Sequence, residues 1–202
     1  TVVGNGGVQG TGNSLANTLT SGLGNDILDG QGGADTLIGA GGSDTFRYTS
    51  NSDSSIGNGD TITDFDAIDQ NETIALDGGL LTGVFGFIGS NVNAFNGAGN
   101  TEARFNDTSK VLEIDTDGNG AADMEITLSG VNLSDLDATD FKGNYNPVAN
   151  VDLITTYENS TVNIDVLAND TDPNPGDTLS IDAASVSIGG GSVSIVDNQL
   201  VY

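Results

Sequence analysis

Apolar residues in the first quarter of the chain recur every nine residues: Leu19, Leu28, Leu37 and Phe46. Two residues before each stands an acid or its amide, Asn17, Asp26, Asp35 and Asp44, and Asp53 follows nine further on. Between them lie Gly22-Leu23-Gly24-Asn25, Gly30-Gln31-Gly32-Gly33-Ala34 and Gly39-Ala40-Gly41-Gly42-Ser43. Nine residues are too few for a helix and its turn. They predict a strand of about three residues followed by a turn of about six. Glycine supplies the left-handed turn conformations that other residues resist. One inward apolar residue per repeat fills a narrow core.

Beyond Asp53 the period lapses and alternation takes over. Thr61–Phe65 and Thr73–Leu76 read as strands, as do Val84–Ile88, Ala103–Phe105, Val111–Asp115 and Met124–Leu128. Toward the end, Val151–Thr155, Thr161–Val166, Leu179–Ile181, Val186–Ile188, Val193–Val196 and Leu200–Tyr202 are short strands at roughly ten-residue spacing. The reading is all-β: a parallel roll merging into a sandwich-like region over residues 1–142, then a partial sandwich over 148–202. A linker at 143–147, Gly143-Asn144-Tyr145-Asn146-Pro147, divides them. All three prolines, Pro147, Pro173 and Pro175, fall from that linker onward.

Composition narrows the chemistry. The 202 residues include 29 acids against 4 bases, a net charge of −25, with no Cys, His or Trp. No Cys means no disulfide framework and no thiolate site. No His removes the usual general base and the commonest transition-metal ligand. The acidic excess speaks against nucleic acid and anionic membranes, which call for Lys and Arg. No apolar run approaches the roughly 18 residues of a membrane span, so no membrane insertion is expected. Carboxylates in this number suit a hard divalent cation, calcium above all. Stacked aspartates about 4.8 Å apart repel one another, so such a coil needs a cation.

The repeats of residues 12–53 resemble the RTX nonapeptide, GGxGxDxUx, of proteins exported by type I secretion. The resemblance implies a parallel β-roll in which two nonapeptides make one coil and several calcium ions sit between turns 18 residues apart. It implies that Asp26 pairs with Asp44, with carbonyls from Gly22, Gly24, Gly39 and Gly41. It implies that Asp35 pairs with Asp53, and more weakly with Asn17, with Gly30, Gly32 and Gly33 forming its turn. The run Gly59-Asp60-Thr61-Ile62-Thr63-Asp64-Phe65 with Glu72-Thr73-Ile74-Ala75-Leu76 resembles the C-terminal region of serralysin-type metalloproteases. There Asp60 would close the last calcium turn, and Glu72 stands near the place of the family's usual Lys. Nothing of the protease is present, since a zinc helix of the His-Glu-x-x-His kind needs histidine.

Two further motifs carry acids. Asp115-Thr116-Asp117-Gly118-Asn119-Gly120-Ala121-Ala122-Asp123 matches the first nine positions of an EF-hand loop, with Asp115, Asp117, Asn119 and Asp123 as ligand positions. Its twelfth position is Ile126, so the bidentate Glu is missing, and the flanks read as strands. It is either a hairpin calcium loop or an Asp-Gly-rich turn. Ile164-Asp165-Val166-Leu167-Ala168-Asn169-Asp170-Thr171-Asp172 resembles the bacterial cadherin-like or VCBS-type Ig sandwich. By that resemblance Glu158, Asp170, Asp172 and Asp177 are calcium ligands; the alternative is solvated loop acids.

The function these features support is a non-enzymatic, calcium-binding structural module of a secreted or cell-surface bacterial protein. It would fold on calcium outside the cell and serve adhesion to a surface glycan or protein. The alternatives are a carbohydrate-binding module and a calcium-triggered self-processing module cleaved at Asp172-Pro173. Sugar sites favour exposed aromatics, which are scarce here. An ice-binding rank at the third and fifth turn positions is rejected, because Leu23, Gly32, Gly41 and Asn25, Ala34, Ser43 do not repeat. No basic N-terminal leader is visible. The chain reads as a fragment whose second sandwich, being shorter than the roughly 100 residues of an Ig fold, continues in the parent protein.

Overall fold

The structure is a computed structural model that describes residues 6–68, 72–143, 149–155, 157, 160–171, 178–185 and 192–202. The chain forms two compact units, Thr1–Tyr145 and Asn146–Tyr202.

The nine-residue period makes short strands that fall alternately on two sheets. In the first unit β1 (Gln9–Thr11), β3 (Ile27–Asp29), β5 (Thr45–Tyr48), β7 (Thr73–Leu76) and β12 (Phe141–Gly143) lie side by side in one sheet. The second sheet has the order β2 (Thr18–Thr20), β4 (Thr36–Ile38), β6 (Asp60–Ile62), β11 (Met124–Leu128), β10 (Val111–Asp115), β9 (Glu102–Asn106), β8 (Gly86–Ser90). Pairing is parallel through β1–β7, with Leu19 opposite Leu37 and Leu28 opposite Phe46. The period-two pleat turns these residues inward, where Leu28, Leu37, Phe46 and Ile62 are fully buried between the sheets. The outward residues Thr18, Thr36, Thr61 and Thr127 stand in one rank, a ladder of β-branched neighbours. A threonine rank thus forms on the strands, although none forms at the turns.

After β6 the topology changes. β9, β10 and β11 form an antiparallel meander, and β11 joins the roll by pairing parallel to β6. The expected strands of the region are present, with β6 confined to Asp60–Ile62 and β8 displaced to Gly86–Ser90. The core is continuous across the change: Phe105, Leu112, Ile114, Met124 and Ile126 are fully buried in the same apolar cluster as the roll residues. Phe85 and Phe87 pack on Phe141, ring centroids 5.0 and 5.5 Å away.

The second unit holds an antiparallel sheet, β13 (Asn163–Ile164), β15 (Gln199–Val201), β14 (Ser194–Val196), in that order. Asp197 and Asn198, with φ of 50° and 59°, make the two-residue turn that strand twist favours. Asn198 ties this turn to the preceding chain, donating from Nδ2 to the Leu179 carbonyl and accepting from the Ile181 N–H. The expected strands Val151–Thr155 and Leu179–Ile181 form no strand, and Val186–Ile188 lies outside the described residues.

Candidate metal centre

Each acid of the repeat begins a coil by capping another. Asp26 Oδ1 accepts from the Val8 N–H (2.7 Å), Asp35 Oδ1 from Asn17 (2.6 Å) and Asp44 Oδ1 from Asp26 (2.8 Å), all eighteen residues apart. Asp26, Asp35 and Asp44 are almost wholly buried. The stacking of Asp26 with Asp44 follows the motif.

The partner of Asp35 does not. Its N–H donates to Asp60 Oδ1 (2.8 Å), twenty-five residues on. Thr36 pairs with Thr61 to match. The segment around Asp53 is instead looped out of the coil, and Asp53 closes that loop by accepting from the N–H groups of Thr49 and Ser50 (2.8 and 2.9 Å). Asp53 still lies close enough for its charge to raise the pKa of both Asp35 and Asp60. The expected pairing of Asp35 with Asp53 is therefore replaced in the stack by Asp60. Chain length between repeats, which the motif assumes constant, is not constant here.

Two acidic clusters result, one at each side of the roll. The first holds Asp35 and Asp60, with Asp53 nearby. The second holds Asp44, Glu72 and Asp64, the last accepting from the N–H groups of Gly39 (3.1 Å) and Ala40 (2.8 Å). Glu72 Oε2 accepts from Asp66 N–H (2.7 Å). Asp64 and Glu72 were outside the expected ligand set. The signal that marks them is their place after the looped-out segment, where the nine-residue count has already failed.

Asp26 meets both its oxygens, Oδ2 accepting from the Gly22 N–H (3.2 Å), but four other buried acids each have one oxygen left over. Asp35 Oδ2, Asp44 Oδ2, Asp60 Oδ2 and Glu72 Oε1 are buried and have no hydrogen-bond partner. An unmet buried carboxylate oxygen costs several kcal/mol unless a cation or proton meets it. Burial raises all four pKa values, with like charge adding to it: Asp60 to about 7, Glu72 to about 8, Asp35 and Asp44 above the usual carboxylate range. Glycine keeps the space beside these oxygens open. A methyl group on Gly30 would collide with Asp35 Oδ2; on Gly39 it would collide with Asp44 Oδ2 and stand 2.9 Å from Glu72 Oε1. Unmet hard oxygen donors in a glycine cradle, with no nitrogen or sulfur ligand, fit calcium.

The glycine carbonyls of the other expected ligands have varied surroundings. Gly41 O accepts from Gly24 N–H (2.6 Å) and Gly22 O from Gly41 N–H (3.1 Å), each retaining a second lone pair. Gly39 O accepts from Ser21 Oγ (2.7 Å). Gly33, at φ 123°, packs over the Leu15 carbonyl, and Gly32 faces the Ser52 carbonyl and Ser14 at van der Waals distance.

The DxDxNGxxD loop joins β10 to β11 and is closed by its own backbone. Asp115 accepts from the N–H groups of Gly118, Asn119 and Gly120, and Asp123 Oδ2 from Thr116 N–H and Oγ1. Asn119 bonds Asp117 through both its N–H and Nδ2. Carboxylate oxygens of Asp115, Asp117 and Asp123 lie within 4.8 Å of one another. In the second unit Asp170 accepts from Asn150 N–H (2.7 Å). Glu158, Asp172 and Asp177, and with them the Asp172-Pro173 bond, lie outside the described residues.

Residues 144–202 match the family model of a bacterial Ig domain. Two solved structures, both of subunits of the Azotobacter vinelandii mannuronan C5-epimerase, are similar. The AlgE6R2 subunit is 27% identical over 69% of this chain and 90% of its own, with a TM-score of 0.45. The AlgE6R3 subunit is 24% identical over 94% and 93%, with a TM-score of 0.39. No curated protein matches. Residues 4–141 match the family model "Peptidase M10 serralysin C terminal", and across that span, with its parallel coils and stacked aspartates, the chain belongs to the serralysin C-terminal family.

Proposed function

We propose that this chain is a non-enzymatic, calcium-stabilised module of a secreted or surface-attached bacterial protein. The observation that carries the reading is the set of four buried, unpartnered carboxylate oxygens on Asp35, Asp44, Asp60 and Glu72. They line the turns that a parallel roll stacks together. The proposed ligand set is Asp26, Asp35, Asp44 and Asp60, with Asp53 beside it, Glu72 and Asp64 added to it, and the turn carbonyls of Gly22, Gly24, Gly30, Gly32, Gly33, Gly39 and Gly41. The Asp115 loop, with Asp117, Asn119 and Asp123, is a secondary position.

The role follows from linkage. A cation that binds only the coiled state stabilises it by mass action. Extracellular modules bind calcium at about 10⁻⁴–10⁻³ M, a range in which the calcium-poor cytosol leaves the roll unfolded and exportable and the exterior folds it. The Ig domain that follows suits a spacer in a large adhesive protein, gripping a glycan or protein elsewhere in that parent. Calcium titration followed by far-UV circular dichroism tests this: the β signal should rise cooperatively with calcium and not with magnesium. A spectrum and melting point untouched by chelation overturn it.

A further inference from the structure

The inward column of the roll, Leu19, Leu28, Leu37, Phe46 and Ile62, is apolar. Tyr48 breaks it. It follows Phe46 as the next inward residue on β5, and its ring is fully buried in the same cluster. Its hydroxyl closes no hydrogen bond. A buried phenol left so costs on the order of 1–3 kcal/mol against phenylalanine, and Tyr is usually buried only where its hydroxyl has a partner.

The surroundings supply one. Asp35 stands just before β4 and Asp60 begins β6 in the second sheet, and both are buried. The charges acting on the Tyr48 hydroxyl are those of Asp60, Asp35 and Asp53, and burial together with these holds its pKa well above the usual tyrosine value. The reciprocal action of Tyr48 on Asp60 is that of a hydrogen-bond donor. The Tyr48 hydroxyl and Asp60 Oδ2 are both buried and both without a hydrogen-bond partner. Asp60 Oδ1 is already fixed by the Asp35 N–H; Asp60 Oδ2 is fixed by nothing.

We infer that Tyr48 is a positioning residue of the ion site formed by Asp35 and Asp60, donating its hydroxyl to Asp60 Oδ2 and so orienting that carboxylate toward the cation. The inference rests on the calcium reading above and assigns a site role to a position that the repeat uses for core packing. With Oδ1 held by a backbone N–H and Oδ2 by a phenol, the carboxylate plane is set and each oxygen keeps a lone pair for the ion.

Terbium, a calcium substitute whose emission is sensitised by a tyrosine close to it, tests the placement on the intact chain. Excitation at the tyrosine band should give strong terbium emission that calcium displaces. The emission should persist when Tyr145, Tyr157 and Tyr202 are all replaced by Phe, and largely vanish in Tyr48→Phe. The same substitution, which keeps the ring, should raise the calcium half-saturation concentration about tenfold, the scale of one hydrogen bond to a charged group. Melting in saturating calcium, which a purely packing role would lower, should change little. Ion binding with no sensitised emission, or with equal emission from Tyr48→Phe, overturns the role of Tyr48 and leaves the calcium reading standing. No binding of terbium or calcium by the wild-type chain overturns both.

Discussion

The first unit contains two kinds of buried acid, and they differ in what they lack. In the parallel coils, Asp35, Asp44, Asp60 and Glu72 each satisfy one oxygen and leave the other bare. In the antiparallel meander, Asp115 is equally buried, yet both its oxygens accept backbone N–H bonds. Glu102, directly across from Asp115, is likewise met by the Asn96 N–H and side-chain amide. A hairpin loop curls back on itself and can supply its own donors. In the coils Asp26 also meets both oxygens, from the Val8 and Gly22 N–H groups, whereas Asp35, Asp44, Asp60 and Glu72 are each held by a single oxygen. The meander is thus complete as a polypeptide, while the roll is complete only with a cation.

Chelation should separate the two regions most strongly. Without calcium, amide exchange in β1–β7 should approach that of an unfolded chain, while β9–β11 retains measurable protection. Uniform loss or uniform retention across both would break the comparison.

The pH dependence of the calcium-free chain comes next. Asp60 at about 7 and Glu72 at about 8 are raised by folding, so the folded state holds protons that the unfolded state has released. Stability therefore falls as pH rises from the ordinary carboxylate range near 4 through 7 to 8. Saturating calcium should reverse the sign, because the ion needs the deprotonated forms. Thermal melts at pH 5 and pH 8, with and without calcium, check this; parallel slopes would contradict it.

Single substitutions sharpen the contrast. Asp44→Ala removes a bare oxygen and the cap on Asp26, and should cost the roll about 2–4 kcal/mol in saturating calcium and far less after chelation. Asp123→Ala removes the bonds from Thr116 and should cost about 1–3 kcal/mol whether calcium is present or not. Denaturant melts of both variants in each condition decide it, and equal calcium dependence would mean that the hairpin loop is an ion site of the same kind.

The smallest effect concerns turn strain. Gln31 and Ala40 sit at φ 61° and 66°, left-handed positions where the motif has glycine. Gln31→Gly relieves a penalty of about 1–2 kcal/mol and adds about 0.5–1 kcal/mol of chain entropy, so a gain of about 1 kcal/mol or less is expected in a denaturant melt. A loss would show that the Gln31 side chain contributes more than its backbone costs.

Much of this was legible in advance because it is local. The spacing of Leu19, Leu28, Leu37 and Phe46 specifies strand, turn and inward face at once, and Asp26 and Asp44 stack where an eighteen-residue coil puts them. Asp53 misled because counting along the chain cannot see that a segment is looped out. Asp64 and Glu72 escaped notice for the same reason: their place at the site depends on where the chain returns, not on their distance from a motif. Tyr48 read as core, since an apolar period says nothing about what a hydroxyl at the end of the ring will meet.

The sequence by itself determined the parts that short-range geometry controls: glycine where the turn needs space or a left-handed φ, one inward apolar residue per repeat, an acid or its amide ahead of each of β2 to β5, and a charge of −25 that calls for cations. Only the tertiary structure decided which acid stacks on which. That choice turns on the register in which β6 returns beside β4 and on how much chain it leaves outside, both set by packing Ile62 opposite Leu37. It also decided which oxygens stay bare, because a hydrogen-bond donor satisfies an acid only where the fold brings the two within about 3 Å.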